Sequence, residues 1–287
     1  MKLAPRNQEF ITRPLESHTS FMYIHVTQNP RFSDMMINLS NQVTCISGGS
    51  RGIGAATAHM FAEAGASVAI LYSRKKAEAE TVLASVRECG VDTLALQCRV
   101  EQYDECREAI QSILKHFGRI DILVNSAGIW EFGEMGNMSQ RDWQKTIEVN
   151  LTGTFNLCNA VVPVMKSRKS GRIINISSTA GQRGEPFHSH YAASKGGIIA
   201  FTKSIAVELI REGIRVNCVA PGWVDTQMVS GALKNRRARK EIQSSIPRNR
   251  IATPEEIAGP ILFLASNLSD HVVGEVINVN GGSVLCG

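Results

Sequence analysis

The sequence predicts an α/β fold, a single doubly wound parallel sheet with helices on both faces. Three observations predict it. Short β-rich apolar runs alternate with helical patterns from residue 43 onward, a glycine-rich turn follows the first run, and the segments that look chemical come directly after strands. Strands alternating with helices lie parallel and join by right-handed crossovers, so ligands gather along the strands' carboxyl ends.

Val43-Thr44-Cys45-Ile46-Ser47 reads as a short buried strand and Ala55 to Ala64 as an alanine-rich helix. Between them lies Gly48-Gly49-Ser50-Arg51-Gly52-Ile53-Gly54. Glycines let this turn approach a pyrophosphate, whose charge is met by free amides and the positive end of the helix. Ala66 to Tyr72 is the next β-rich run, and Lys75 to Cys89 has helical spacing ending at Gly90. Thr93 to Gln97 is a third strand, Tyr103 to Phe117 a helix stopped by Gly118, and Ile120 to Val124 a fourth strand leading into Asn125-Ser126-Ala127-Gly128. Ser139 caps a long helix on which Trp143, Ile147, Leu151 and Phe155 form a stripe, predicting a face buried against something. Arg172 to Ile176 is strand five, Tyr191 to Arg211 another long helix, and Arg215 to Val219 strand six. Thr253-Pro254-Glu255-Glu256 opens a late helix with a capping box, and Gly274 to Val279 is the last strand.

At 287 residues and 43% hydrophobic content, residues 41–287 suffice for one domain. Residues 1–40, with three prolines and no periodicity, read as an N-terminal extension. Its chemistry leaves open partial disorder, packing on a partner subunit, or a start codon assigned too early. Seven scattered cysteines fit neither a zinc site nor a disulfide scaffold and point to a reducing cytoplasm. No apolar run reaches the roughly 20 residues of a membrane span. Neither a membrane nor a nucleic-acid partner is expected, and no metal.

Tyr191 and Lys195 stand four residues apart, which puts a phenol and an ammonium on one helix face. A fixed cation favours the phenolate and brings the tyrosine toward the pH where it exchanges protons with a substrate. Alone, that spacing is weak; the glycine turn upstream strengthens it.

With these motifs the chain resembles the short-chain dehydrogenase/reductase family, from about Leu39 to Gly282. Ser47 to Gly54 looks like its cofactor turn, Asn125 to Gly128 like its Asn-Asn-Ala-Gly motif, and Pro221-Gly222-Trp223-Val224-Asp225-Thr226 like the segment that closes on the nicotinamide. The resemblance implies a Rossmann-like domain and a catalytic set of Asn150, Ser178, Tyr191 and Lys195. In that set Tyr191 exchanges the proton, Ser178 bonds the substrate oxygen, Lys195 lowers the phenol's pKa and binds ribose, and Asn150 holds a water that feeds protons through Lys195. It implies cofactor contacts from Gly48, Ser50, Arg51, Gly52, Ile53, Gly54, Ser73, Arg74, Val100, Asn125, Ala127, Gly128, Tyr191, Lys195, Pro221, Gly222, Val224 and Thr226.

After the second strand the residues are Tyr72-Ser73-Arg74-Lys75, with no acid for a ribose 2′-hydroxyl and two cations for a 2′-phosphate. NADP(H) is therefore favoured over NAD(H). Arg99 stands where the family has an aspartate near the adenine, so that hydrogen bond is lost or remade through the backbone of Val100. Asn280 replaces another aspartate and is expected to be structural.

Residues 231–250 carry seven basic side chains and one acid, a net +6 that leaves −1 for the remainder. By resemblance this is the lid over the substrate, and its charge suits an acidic carrier protein or a coenzyme A phosphate. The overall pattern is most similar to the 3-oxoacyl-[acyl-carrier-protein] reductase branch. That implies NADPH-dependent reduction of a 3-oxoacyl thioester by a homodimer or homotetramer. The loop from Gln182 to His190, with Arg183, Glu185, His188 and His190, is more polar than an acyl site needs. It keeps a polyol, sugar or other secondary-alcohol dehydrogenase open, with a non-catalytic dinucleotide-binding protein as a remote alternative. His188 and His190 are expected as pocket wall or surface, since no ligand partner sits at metal spacing.

Overall fold

The structure, a computed structural model, describes residues 37–285. Residues 1–36 of the expected extension lie outside that range. The strands are β1 (Val43–Ser47), β2 (Ser67–Tyr72), β3 (Thr93–Gln97), β4 (Ile122–Asn125), β5 (Gly171–Ile176), β6 (Ile214–Pro221) and β7 (Val276–Val279). All pair in parallel, in the order β3-β2-β1-β4-β5-β6-β7. The reversal falls between β1 and β4, where Ser47 pairs with Leu71 on one side and Asn125 on the other. A crevice opens at such a reversal.

Each central strand is apolar on both faces, as a sheet covered on two sides requires. Ile46, Ile70 and Val124 point to one core, with Phe61 of α1 (Gly52–Glu63) and Ile257 and Ile261 of α10 (Pro254–Ala265). Their neighbours Cys45, Leu71 and Leu123 point to the other. There they meet Ile113 of α3 (Tyr103–Phe117), Leu157 and Met165 of α5 (Gly153–Arg168), and Ala206 of α7 (Ser189–Leu209). Helix α2 (Lys76–Arg87) completes the first layer. Leu39 is fully buried and its N–H bonds to Ala64 O at 2.7 Å, so the core already includes the end of the segment read as extension. Burying such a leucine is worth about 1.5–3 kcal/mol.

The capping box of α10 forms as expected, and Ser139 accepts from Asp142 N at the start of α4 (Gln140–Ile147). Beyond α4 the chain departs from expectation. The helix does not continue unbroken: Glu148–Thr152 is a π-helical turn, and α5 starts at Gly153. The turn shifts the face that a regular spiral would present. Of the stripe expected to be buried, Trp143 is 40% and Phe155 46% exposed. Three short helices were also not foreseen: α6 (Thr179–Arg183), α8 (Ser230–Leu233) and α9 (Arg236–Ser245). No described helix is long and apolar enough to cross a membrane.

Candidate active site

The glycine turn joins β1 to α1. Gly48 has φ +67°, and a Cβ on Gly54 would lie 2.3 Å from Gly48 O, so strand and helix approach at a distance only glycine permits. No side chain caps α1, whose N-cap is Arg51. Its first amides are thus free of side-chain acceptors, which fits a bound pyrophosphate. Ser47 Oγ accepts from Ser126 N and Ala127 N at 3.1 Å each, tying this turn to the one after β4. Thr226 reaches Gly52, and Arg51 donates to Gln227 at 3.2 Å, so the segment after β6 meets the turn. Arg51 is therefore engaged by that segment, while Ser73 and Arg74 stand exposed after β2.

Asn125 bonds sideways within the sheet, donating to Asn175 Oδ1 at 2.9 Å; its own Oδ1 is buried without a partner. Val100 O accepts from Asn156 Nδ2 at 2.9 Å and from Cys106 Sγ at 3.3 Å. Arg99 folds back on Glu105, its amide 2.8 Å from one carboxylate oxygen and its Nε 2.8 Å from the other. Asn280 is structural, as expected: it donates to Val284 O and accepts from Gly282 N.

Around the crevice, the π turn directs Asn150 inward, where it is fully buried. Its Oδ1 accepts from Ile129 N at 2.8 Å, and its Nδ2 donates to Ile129 O and Ser194 Oγ at 3.0 Å. Asn150 thus clips the segment after β4 to α7. Lys195 Nζ donates to Ile176 O at 2.8 Å and lies 5.8 Å from the centre of the Tyr191 ring. A Cβ on Gly128 would sit 3.2 Å from Asn150 Oδ1 and 3.5 Å from that Nζ, so glycine leaves these two groups a common space. Ser177 Oγ donates to Lys195 O. Ser178 caps α6, accepting from Ala180 N, and shares with Tyr191 an open pocket lined also by Trp130, Glu185, Trp223 and Met228.

The expected lowering of the phenol's pKa is not what this arrangement gives. Burial pushes Tyr191 up to about 12, with Glu185 adding to the rise and a hydrogen bond with Ser178 opposing it. The same burial brings Lys195 down to about 8. Desolvation outweighs the neighbouring ammonium and softens the amine instead.

His188 stacks on Trp130, which lines the pocket, and does not itself line it. His190 is not pocket wall or surface: it is fully buried and neither ring nitrogen has a partner. In the basic segment 231–250, Arg237 pairs with Glu241, Arg239 with Asp225 and Arg250 with Glu256. Lys234, Arg236, Lys240 and Arg248 are exposed without a carboxylate partner among the described residues. Sequence reasoning did not find Trp130 or its bond to Glu185, because the two are 55 residues apart and neither belongs to a motif.

Residues 48–283 match the family model described as enoyl-(acyl carrier protein) reductase. The chain is 42% identical over 251 residues to the 3-oxoacyl-[acyl-carrier-protein] reductase of Synechocystis sp., covering 87% of this chain and all of that protein. It is 40% identical to the corresponding FabG protein of Chlamydia muridarum, covering 85% and 98%. Among solved structures it resembles levodione reductase, with a TM-score of 0.83 and 31% identity over 85% of this chain and 98% of that one.

Proposed function

This chain belongs to the short-chain dehydrogenase/reductase family, and from that membership we propose that it reduces a 3-oxoacyl thioester to a 3-hydroxyacyl thioester with NADPH, Tyr191 serving as acid/base. As a member it is an oxidoreductase that uses a nicotinamide dinucleotide to interconvert C=O and CH–OH groups. The observation that carries the reading is that Ser178 and Tyr191 line one pocket with Gly222 and Trp223 of the segment after β6, while Asn150 and Lys195 are buried. The names of the relatives supply the substrate class.

Gly48, Ser50, Arg51, Gly52, Ile53 and Gly54 of the turn, Ser73, Arg74 and Val100 would hold the dinucleotide, with Asn125, Ala127, Gly128, Tyr191, Lys195, Pro221, Gly222, Val224 and Thr226 completing the site. Bound there, it would supply the hydride for the carbonyl carbon. Tyr191, neutral at pH 7 with its pKa near 12, gives its proton to the carbonyl oxygen while Ser178 donates a hydrogen bond to the charge that develops there. Lys195, softened to about 8, returns a proton to the phenolate near neutral pH, and Asn150 holds the water that refills it. Arg74, exposed and with no acid beside it, supports NADP(H) over NAD(H). The unpaired cations of the basic segment support a substrate on an acidic carrier. Phe155 of α5, 6.3 Å from Phe201 of α7, and the exposed Val207 support assembly as a homodimer or homotetramer.

A second reading, turnover of a polyol or other secondary alcohol, is favoured by one observation, the Glu185 carboxylate in the pocket. Initial rates with acetoacetyl-coenzyme A and NADPH, beside a polyol panel with NADP⁺, separate the two. We expect thioester reduction to dominate and Tyr191→Phe to lower it by about 10³-fold. Robust polyol turnover without thioester reduction rejects the first reading.

A further inference from the structure

The pocket that holds Ser178 and Tyr191 contains a carboxylate that the proposed chemistry does not use. Glu185, just beyond α6, is half-buried, and its two oxygens share a single donor, the Trp130 indole N–H, at 3.3 and 3.4 Å. Trp130 is itself fixed. One face stacks on His188, with ring centres 4.3 Å apart and planes 4° from parallel, and Trp223 meets it edge-on at 5.9 Å. His188 is anchored through Nδ1 to the Pro186 carbonyl at 3.0 Å and stands 3.9 Å from a Glu185 oxygen.

A carboxylate has about four acceptor positions. One indole N–H shared between both oxygens leaves most of them open toward a pocket walled by Trp223, Met228 and Val229 and also by Arg183, whose guanidinium makes no hydrogen bond to the carboxylate. A half-buried acceptor with positions left open is stabilised by a ligand that brings a donor and is penalised by one that does not. Near the reacting groups, that difference becomes selectivity.

We propose that Glu185 is a specificity-determining residue: its carboxylate, held in place by Trp130, receives an N–H or O–H that the substrate carries beyond the carbonyl that reacts. This rests on the reading of the pocket as the reaction site. The shared chemistry is a neutral hydrogen-bond donor, which has two sources, the amide of a pantetheine-like thioester arm and the hydroxyl of a hydroxyketone.

The test is kcat/KM with NADPH for two matched pairs. Acetoacetyl-N-acetylcysteamine carries an amide N–H, and ethyl acetoacetate has the same 3-oxobutanoyl head without one. The second pair is 4-hydroxy-2-butanone and 2-butanone. In Glu185→Leu the donor-to-no-donor ratio is expected to fall by about 10- to 100-fold in one pair, and the pair that moves identifies the source. Glu185→Gln keeps a carbonyl acceptor and is expected to stay within about 5-fold of the parent ratio. Ratios unmoved in both pairs, or moved equally by Leu and Gln, overturn the proposal, since a merely structural role lowers both members of a pair together. Turnover of neither pair by the wild-type protein rejects the reaction-site reading and this proposal with it. Turnover with ratios indifferent to residue 185 rejects this proposal alone. If Glu185→Leu fails to fold, Trp130→Phe frees the carboxylate without deleting it. The ratio should then drop by about 5-fold, and an unchanged one is equally fatal.

Discussion

On the inner wall of the crevice, Asn150, Ser194 and Lys195 are buried and bond to one another's segments through Ile129, Tyr191 and Ile176. By contrast, the basic segment that includes α8 and α9 rests on three buried side chains, Leu233, Ile246 and Ile251, and on ion pairs that stand in solvent. Burial makes each missing partner on the wall expensive, because a stranded polar group has no water to turn to. Exposure makes each of these pairs weak and easily screened. The wall can therefore hold chemical groups to fixed positions, while the contacts of the basic segment are the more easily exchanged.

Substitutions at both places test that contrast. The largest effect belongs to Lys195→Met, which should lower turnover by about 10³-fold. The same variant carries a pH signature. Because the folded-state pKa of Lys195, about 8, lies below its ordinary 10.5, the folded protein holds fewer protons than the unfolded chain between those values. This residue therefore makes stability rise with pH across that window, and below about pH 8 the buried charge destabilises. Denaturant unfolding of parent and variant at pH 7.5 and 9.5 should show the parent gaining relative to the methionine form. No relative gain would place the ammonium in a wetter site than described.

Next comes Asn150→Ala, which strands both backbone groups of Ile129. A loss of about 2–3 kcal/mol is expected, read as a melting temperature lower by roughly 5–10 °C. His190 gives a smaller, pH-gated effect. Burial holds its pKa below the usual 6.5, so the unfolded chain takes up the proton first and stability falls as pH drops through 6.5, by at most about 1.4 kcal/mol per pH unit. His190→Leu should flatten that slope between pH 7 and 5.5. Smallest of all, Arg239→Ala removes the exposed pair with Asp225 and should change stability by under about 1 kcal/mol. A substitution in the basic segment that matched Asn150→Ala in cost would erase the contrast.

Periodicity was enough to read the strands and long helices, since each is either uniformly apolar or regularly amphipathic. The glycine turn and Ser139 cap were readable because their chemistry is local. The π turn was not. A one-residue slip in helical spacing leaves the composition of Glu148-Val149-Asn150-Leu151-Thr152 unchanged, and what selects it is the fit of Asn150 against Ile129, 21 residues away. Tyr191 and Lys195 were found by spacing, yet the direction of the phenol's shift was not, because burial is a property of the packed chain. Arg51 was legible as a cation but not as one that Gln227, 176 residues away, engages.

The reversal of strand order between β1 and β4 also governs how the sheet is completed during synthesis. β1, β2 and β3 emerge from the ribosome first and can pair with one another, but the free edge of β1, with Cys45 and Ile46, stays uncovered until residues 122–125 arrive. Some 75 residues separate the end of β1 from the start of β4, so the centre of the sheet, where the crevice opens, closes only after its first three strands have been synthesised.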